Sequence, residues 1–249
     1  MTNLSVNLNK VALLRNSRTL NLPSVLWAAE TCIAAGAYGI TVHPRPDERH
    51  IRRNDAYELA ELLQVHPGIE FNIEGNPLEA GYMEIVRDVR PTQATLVPDN
   101  PEQFTSDHGW EVERDRDTLQ PIVRTLRDLG IRVSLFVDPV PQCMPAVKAL
   151  GADRVELYTE PYATAYREGQ GDMSRALYAD AAEAAQAVGL GVNAGHDLNL
   201  SNLPQFLTIP DILEVSIGHA LTADALEMGL THAVRAYLDI CKTARVSVG

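Results

Sequence analysis

Cysteine is scarce in this chain. Cys32, Cys143 and Cys241 are all it has, widely spaced and odd in number. That pattern excludes a disulfide framework, and no pair has the spacing of a metal knuckle or a redox motif. Basic residues are also in short supply: 21 Lys and Arg stand against 33 Asp and Glu, for a net charge of −12. General nucleic-acid binding needs surplus cations to displace counterions, so that class is excluded too. Anionic small molecules stay open, because a few local Arg and His side chains bind a phosphate even in an acidic protein. No apolar run approaches the roughly twenty residues of a membrane span. The opening MTNLSVNLNKVALL lacks the basic-then-apolar order of a secretion signal. Together these absences predict a protein of the reducing cytosol, free of membranes. What remains is ordinary globular composition, 45% hydrophobic and 22% charged over 249 residues. That length builds one large core, expected as a single domain over residues 1–249.

A repeated unit organises the chain. A helical stretch ends in Gly and a short β-branched run follows, as in AAGAYGITVHP, DLGIRVSLFVD, ALGADRVELYT and AVGLGVNAGHD. Glycine accepts the left-handed conformation that stops a helix. The run after it has the length of a buried parallel strand. The pattern predicts eight strands at Leu4–Leu8, Gly39–His43, Glu70–Ile73, Ala94–Val97, Arg132–Val137, Arg154–Tyr158, Gly191–Asn193 and Leu213–Ile217. Helices are expected over Pro23–Ala35, from an Asn54 cap, from Asn76-Pro77, and over Thr118–Leu129, Pro141–Leu150, Ser174–Val188 and Leu203–Thr208. Thr222–Arg245 carries Gly229 inside it and reads as one long helix or two. Strand and helix alternate strictly, so the expected fold is an α/β (β/α)₈ TIM barrel with extra helices rather than an open sheet. Two long segments, Pro98–Asp117 and Glu160–Met173, are expected as loops at the barrel mouth.

In such a barrel the active site lies where strands end, and polar groups concentrate there. The strand ends read Asn7-Leu8-Asn9-Lys10, His43-Pro44-Arg45, Asn72-Ile73-Glu74, Glu156 with Thr159, Asn193-Ala194-Gly195-His196-Asp197, and Ser216-Ile217-Gly218-His219. His43, His50, His196 and His219 all fall at or just beyond these ends. Several imidazoles converging from separate strands suit proton transfer near neutral pH. One alone would be a hydrogen-bonded loop residue. No HExxH or His/Cys cluster is present, so no metal site is expected. Glu74 reads either as a buried base with a raised pKa or as the ion-pair partner of Arg45. Glu156 points into the barrel by strand alternation, as a structural ion pair or as a functional group. Gly195 and Gly218-His219 end adjacent strands, where backbone N–H groups and a helix start hold phosphate in barrels of this type. Arg15 and Arg18 are either phosphate contacts or parts of a solvated loop.

At these residues the chain resembles the pyridoxine 5′-phosphate synthase family. VNLNKVALLRNSR, GITVHPRPDERHI, EFNIEGNP, TLVPDNPEQFTSDHGW, VSLFVD, VNAGHDLNL and IGHAL carry the resemblance in order and spacing, from about Ser5 to Gly229. TVHPRPDERHI and VNAGHDLN are its most specific parts. The resemblance implies condensation of 1-deoxy-D-xylulose 5-phosphate with 3-amino-2-oxopropyl phosphate to pyridoxine 5′-phosphate, phosphate and water. It also implies no metal or organic cofactor and a homo-octamer. By residue, it implies His43 and Glu74 as proton acceptors, His196 as proton donor and Glu156 as transition-state stabiliser. Arg45, His50 and Thr105 match positions that bind the deoxyxylulose phosphate. Asn7, Arg18, Gly218 and His219 match positions that bind the amino-ketone phosphate. Asn9 and Asp197 fall at further substrate-contact positions, and both depart from the family pattern. Many members read Asn-x-Asp-His where this chain has Asn7-Leu8-Asn9-Lys10, and some have Gly in place of Asp197. Two other readings stay open on residues alone. One is another phosphosugar isomerase or aldolase, with Lys10 as the sole strand-end candidate for a Schiff base. The other is a non-catalytic paralogue that binds a phosphometabolite.

Overall fold

Eight strands form in the computed structural model, which describes residues 1–243 except 101 and 104. They are β1 (Asn3–Asn7), β2 (Gly39–Val42), β3 (Glu70–Gly75), β4 (Gln93–Leu96), β5 (Arg132–Val137), β6 (Arg154–Tyr158), β7 (Gly191–Gly195) and β8 (Ile212–Ile217). All neighbours are parallel, and β8 pairs back onto β1, so the sheet closes as a barrel in sequence order. The expected TIM barrel is therefore the observed one.

Around it run α1 (Asn9–Asn16), α2 (Val25–Ala35), α3 (Arg53–Leu63), α4 (Tyr82–Val89), α5 (Arg116–Asp128), α6 (Met144–Leu150), α7 (Glu160–Arg167), α8 (Gly171–Ala187), α9 (Leu203–Phe206), α10 (His219–Met228) and α11 (Leu230–Thr243). The last two are separated by Gly229, which settles the Thr222–Arg245 segment as two helices. Its expected end at 245 lies outside the described residues.

Alternation along the strands divides the barrel wall. Leu4, Val6, Ile40, Ile73, Leu96, Leu135 and Val215 are fully or almost fully buried among the helices. The other face looks into the barrel, and it is polar. Ser5 and Thr41 hydroxyls meet at 2.7 Å, the Thr95 hydroxyl donates to Asn72 at 3.0 Å, and Asn193 donates to Gln93 at 3.4 Å. Each strand brings at least one polar side chain to this interior, Thr41 for β2, and of the buried ones the Ser134 hydroxyl of β5 has no partner among the described residues. A barrel core is usually filled by branched apolar side chains, so this interior departs from the common pattern.

Four local expectations need correction. The segment after β1 is helix α1, and Arg15 within it is neither solvated nor free for phosphate. It is buried and makes a two-pronged ion pair with Asp55, one contact being 2.8 Å. Asp55 also accepts the backbone N–H of Arg52 at 2.7 Å, so it, rather than Asn54, fixes the start of α3. Asn76-Pro77 opens a turn: the Asn76 side chain accepts from Leu78 N–H and donates to the Asp99 carbonyl, both at 2.9 Å. The helix begins only at Tyr82. Finally, Glu160–Met173 is mostly helix, with Pro161 in the first turn of α7, where its missing N–H costs nothing. The segment between β4 and α5 is the long loop at the mouth.

Candidate active site

The carboxyl ends of the strands surround one cavity of about 570 Å³, the size of small-ligand sites. Asn7, Asn9, His43, Arg45, His50, Glu74, Thr105, Glu156, His196, Asp197, Gly218 and His219 all line it. Arg18 does not: it stands exposed beyond the end of α1. Lys10 reaches the same wall from the first turn of α1.

On one side, Asn7 and Asn9 brace the ends of β1 and β2. Asn7 Oδ1 accepts the Asn9 N–H, and Asn9 Oδ1 accepts the His43 N–H, each at 2.9 Å. Asn7 Nδ2 then donates to Glu74 Oε2 at 3.3 Å, and His43 Nδ1 lies 4.0 Å from the same oxygen. Arg45 turns away from Glu74 and pairs with Asp99 at 3.1 Å. Of the two readings of Glu74, the buried carboxyl is the one that holds. Burial, and then the neighbouring Glu156, push its pKa well above the usual carboxylate range. His43 moves the other way. Burial, with His50 and Arg45 close by, holds it well below 6.5, so it is a neutral imidazole able to take a proton. The His50 ring stands edge-on, 6.1 Å from His43, and burial lowers it to about 4. Its Nδ1 accepts the Ile51 N–H at 2.9 Å, which leaves its proton on Nε2.

Arg45 also ties down the β4–α5 loop, donating to the Asn100 carbonyl at 2.7 Å and the Gln103 carbonyl at 3.0 Å. Ser106 donates to the Asp99 carboxylate at 2.7 Å. The loop so held brings the Thr105 hydroxyl within 3.3 Å of His196 Nε2.

His196 packs against Tyr158 and Phe136, with ring centres 5.3 and 6.2 Å away. His196 and Asp197 both have left-handed backbones, φ 91° and 59°. Such strain in non-glycine residues concentrates at functional turns. It also explains why glycine suits the Asp197 position. The Asp197 carboxylate sits 4.0 Å from His196 Nδ1, which helps to lower its own pKa.

Gly195 and Gly218 allow two close approaches. A Cβ on Gly195 would sit 2.3 Å from Glu156 Oε1, and one on Gly218 would sit 3.1 Å from the Asn7 side chain. Glu156 thereby lies flat against β7, buried, with Oε2 bonded to nothing among the described residues. It forms no ion pair there, so the structural-pair reading does not hold. Gly218 caps the ten-residue α10, whose first residues His219 and Ala220 line the cavity. That arrangement suits an anion. Among the described residues, no group of three or more His, Cys, Asp or Glu is arranged to hold a metal ion.

Residues 4–243 match the family described as "Pyridoxal phosphate biosynthesis protein PdxJ". The chain belongs to the PdxJ family. Among curated PdxJ relatives, the pyridoxine 5′-phosphate synthase of Xanthomonas campestris pv. campestris is 57% identical over 246 residues, covering 96% of each chain. That of Albidiferax ferrireducens is 55% identical, over 95% of this chain and 96% of its own. Solved structures share the PdxJ barrel at far lower identity. Phosphoribosyl anthranilate isomerase from Thermus thermophilus superposes with a TM-score of 0.59 at 13% identity, over 97% and 99% of the two chains. A 4-hydroxy-2-oxoglutarate aldolase superposes at 0.64 with 14% identity, over 95% and 93%. Those two show the fold alone. The isomerase and aldolase readings left open by the residues thus yield to the PdxJ assignment.

Lining residues that the sequence did not single out include Arg49, Asp99, Ser106 and Phe136. Asp99 carried a usable signal, since it follows β4 directly in Val97-Pro98-Asp99. Phe136 follows from strand alternation.

Proposed function

We propose that this chain is a pyridoxine 5′-phosphate synthase that joins 1-deoxy-D-xylulose 5-phosphate to 3-amino-2-oxopropyl phosphate, releasing pyridoxine 5′-phosphate, phosphate and water. The observation that carries the reading is the convergence of His43, Glu74, Glu156 and His196 on one cavity, in a chain 53–57% identical to enzymes of that name over nearly its full length. Imine formation, dehydration and phosphate loss each move protons at separate carbons, so several acid–base groups around one substrate are needed. His43, neutral and buried, takes a proton. Glu74, raised by burial, exchanges another. His196 gives one from the opposite wall, with Thr105 on its Nε2. Glu156 faces the developing charge from the cavity floor.

Two phosphates need two anion sites. Arg45, His50 and Thr105 serve the deoxyxylulose phosphate, with the β4–α5 loop folded over it. Asn7, Gly218, His219 and the start of α10 serve the amino-ketone phosphate. Asn9 holds the His43 backbone and presents its amide to a substrate hydroxyl. Asp197 contributes its backbone N–H. The reaction as written calls on no metal or organic cofactor.

An oligomer, a homo-octamer by family resemblance, fits the outer surface. Leu14, Leu20, Leu22 and Trp27 on and between α1 and α2 are exposed by 49–68%, an apolar patch of the kind that marks interfaces. Arg18 lies within this stretch and outside its own cavity, so its phosphate contact is made in the cavity of a second copy. Three unpaired thiols fit a cytosolic location, and no described helix is long and apolar enough to cross a membrane. Complementation tests the function. The gene restores growth without pyridoxine to a strain lacking this synthase, and the Glu74→Gln gene does not. Failure of the parent gene, with soluble protein present, overturns the reading.

A further inference from the structure

The cavity floor continues into the polar barrel interior, and one buried carboxyl there has no part in the scheme above. Glu214 lies on β8 and is 2% exposed. The register between β7 and β8 shifts between Val192 and Asn193, which brings Glu214 opposite Asn193. Asn193 in turn lies opposite Glu156 on β6. Glu156 and Glu214 therefore stand in one row of the barrel wall, a single strand apart.

Their partners differ. Arg154, the next inward position below Glu156, donates to Asn193 Oδ1 at 3.1 Å and to Glu214 Oε2 at 3.4 Å. Arg132 is committed to Glu70 and Arg45 to Asp99. Among the described residues Glu156 makes no ion pair, and no donor meets its buried Oε2. An ionised carboxylate in that setting would lose its hydration and gain nothing in return, whereas a carboxylic acid fits it.

We propose that Glu214 is a positioning residue for the reaction: held in place by Arg154, its charge adds to burial in keeping the neighbouring Glu156 a neutral acid, so that the floor offers the substrate a hydrogen-bond donor. The titratable and charged groups that share the barrel interior or the cavity with Glu156 are Glu70 and Glu74 from β3, Arg132 from β5, Arg154 from β6 and Glu214 from β8, with Lys10, His43, Arg45, Arg49, His50, Asp99, His196, Asp197 and His219 around the mouth. β1 and β4 present neutral side chains. Burial and then Glu214 push Glu156 up to about 8, and Glu156 in turn raises Glu74; Glu214, lifted by burial to about 7 and held down by Arg154, ionises before Glu156 does. A neutral acid suits a cavity that must admit two phosphates and release one. An anion there would repel every reactant.

The inference rests on the cavity being the active site, but its test needs no turnover. In the resting enzyme at pH 7, infrared difference spectra between parent and Glu156→Gln should contain the carbonyl band of a protonated carboxylic acid. In Glu214→Gln, which still accepts from Arg154, that band should vanish on alkaline titration about one pH unit lower than in the parent. In Arg154→Gln, which strips the buried Glu214 of its cation and leaves it protonated, it should likewise vanish at lower pH than in the parent. An alkaline limb of kcat/KM should move with the band, with KM little changed. If neither substitution folds, the parent band alone decides, because an ionised Glu156 at pH 7 overturns the proposal. So does a titration point that Glu214→Gln leaves in place. Enzyme that shows the band yet makes no product refutes the function and not this inference.

Discussion

Glu156→Gln should stabilise the fold, and the gain should grow with pH. In the folded chain burial lifts the carboxyl from the ordinary 4.5 to about 8. Between those two values the folded state binds a proton that the unfolded state has released, so stability falls as pH rises through this window. Glutamine is nearly isosteric with the protonated acid and has no such dependence. At pH 5 parent and variant should melt close together. Each pH unit beyond that widens the difference by at most about 1.4 kcal/mol, and a realised total of about 3 kcal/mol at pH 8 is expected. For a chain of this size that corresponds to roughly 5–10 °C in Tm. Glu156 also raises Glu74, so the substitution relieves part of that shift as well, and both contributions widen the difference as pH rises. Paired thermal melts at pH 5, 6, 7 and 8 give the result directly. A Tm difference that stays constant across that range, or a variant less stable at pH 8, refutes the burial argument for this residue.

Three further outcomes follow from the geometry. His43 should remain neutral in nitrogen NMR at pH 6, where a free histidine is largely protonated, because burial and the nearby His50 and Arg45 oppose its charge; a midpoint at or above 6.5 contradicts this. Gly195→Ala should cut kcat at least tenfold while costing little in Tm, since the added methyl strikes the flexible end of Glu156 at 2.3 Å; unchanged kinetics would show that Glu156 is not held where the reaction needs it. Asp55→Ala should lower stability by about 3 kcal/mol, because it strands the buried Arg15 charge and frees the start of α3; a loss below 1 kcal/mol in denaturant titration contradicts the pairing.

The sequence made the barrel legible because its signals were local and periodic. Each strand was expected within a few residues of its observed bounds, since a glycine stop followed by an apolar run states both the break and the strand. Helix α1 was not legible: Leu8 precedes it where a capping side chain would be expected, and Leu13 and Leu14 face out of the fold. For α7 the cue was present, as Thr159-Glu160-Pro161 is a reasonable helix start, but its nearness to a strand end favoured a loop. At the site, twelve of the thirteen candidate residues meet in one cavity because strand ends fix where side chains point. The partner of Arg45 was illegible. Asp99 lies 54 residues further on, in a loop without periodicity, and only folding brings the two together. The polar interior was half visible. Alternation in Arg154-Val155-Glu156 and Glu214-Val215-Ser216 states which residues face inward, but not that Arg154 would choose Glu214 over Glu156.

Product formation from the two phosphates tests the whole account most directly. Purified protein mixed with 1-deoxy-D-xylulose 5-phosphate and 3-amino-2-oxopropyl phosphate should develop the ultraviolet absorbance of pyridoxine 5′-phosphate, with equimolar inorganic phosphate, and neither substrate alone should give a signal. Binding of both substrates by folded enzyme without any ring product would contradict it.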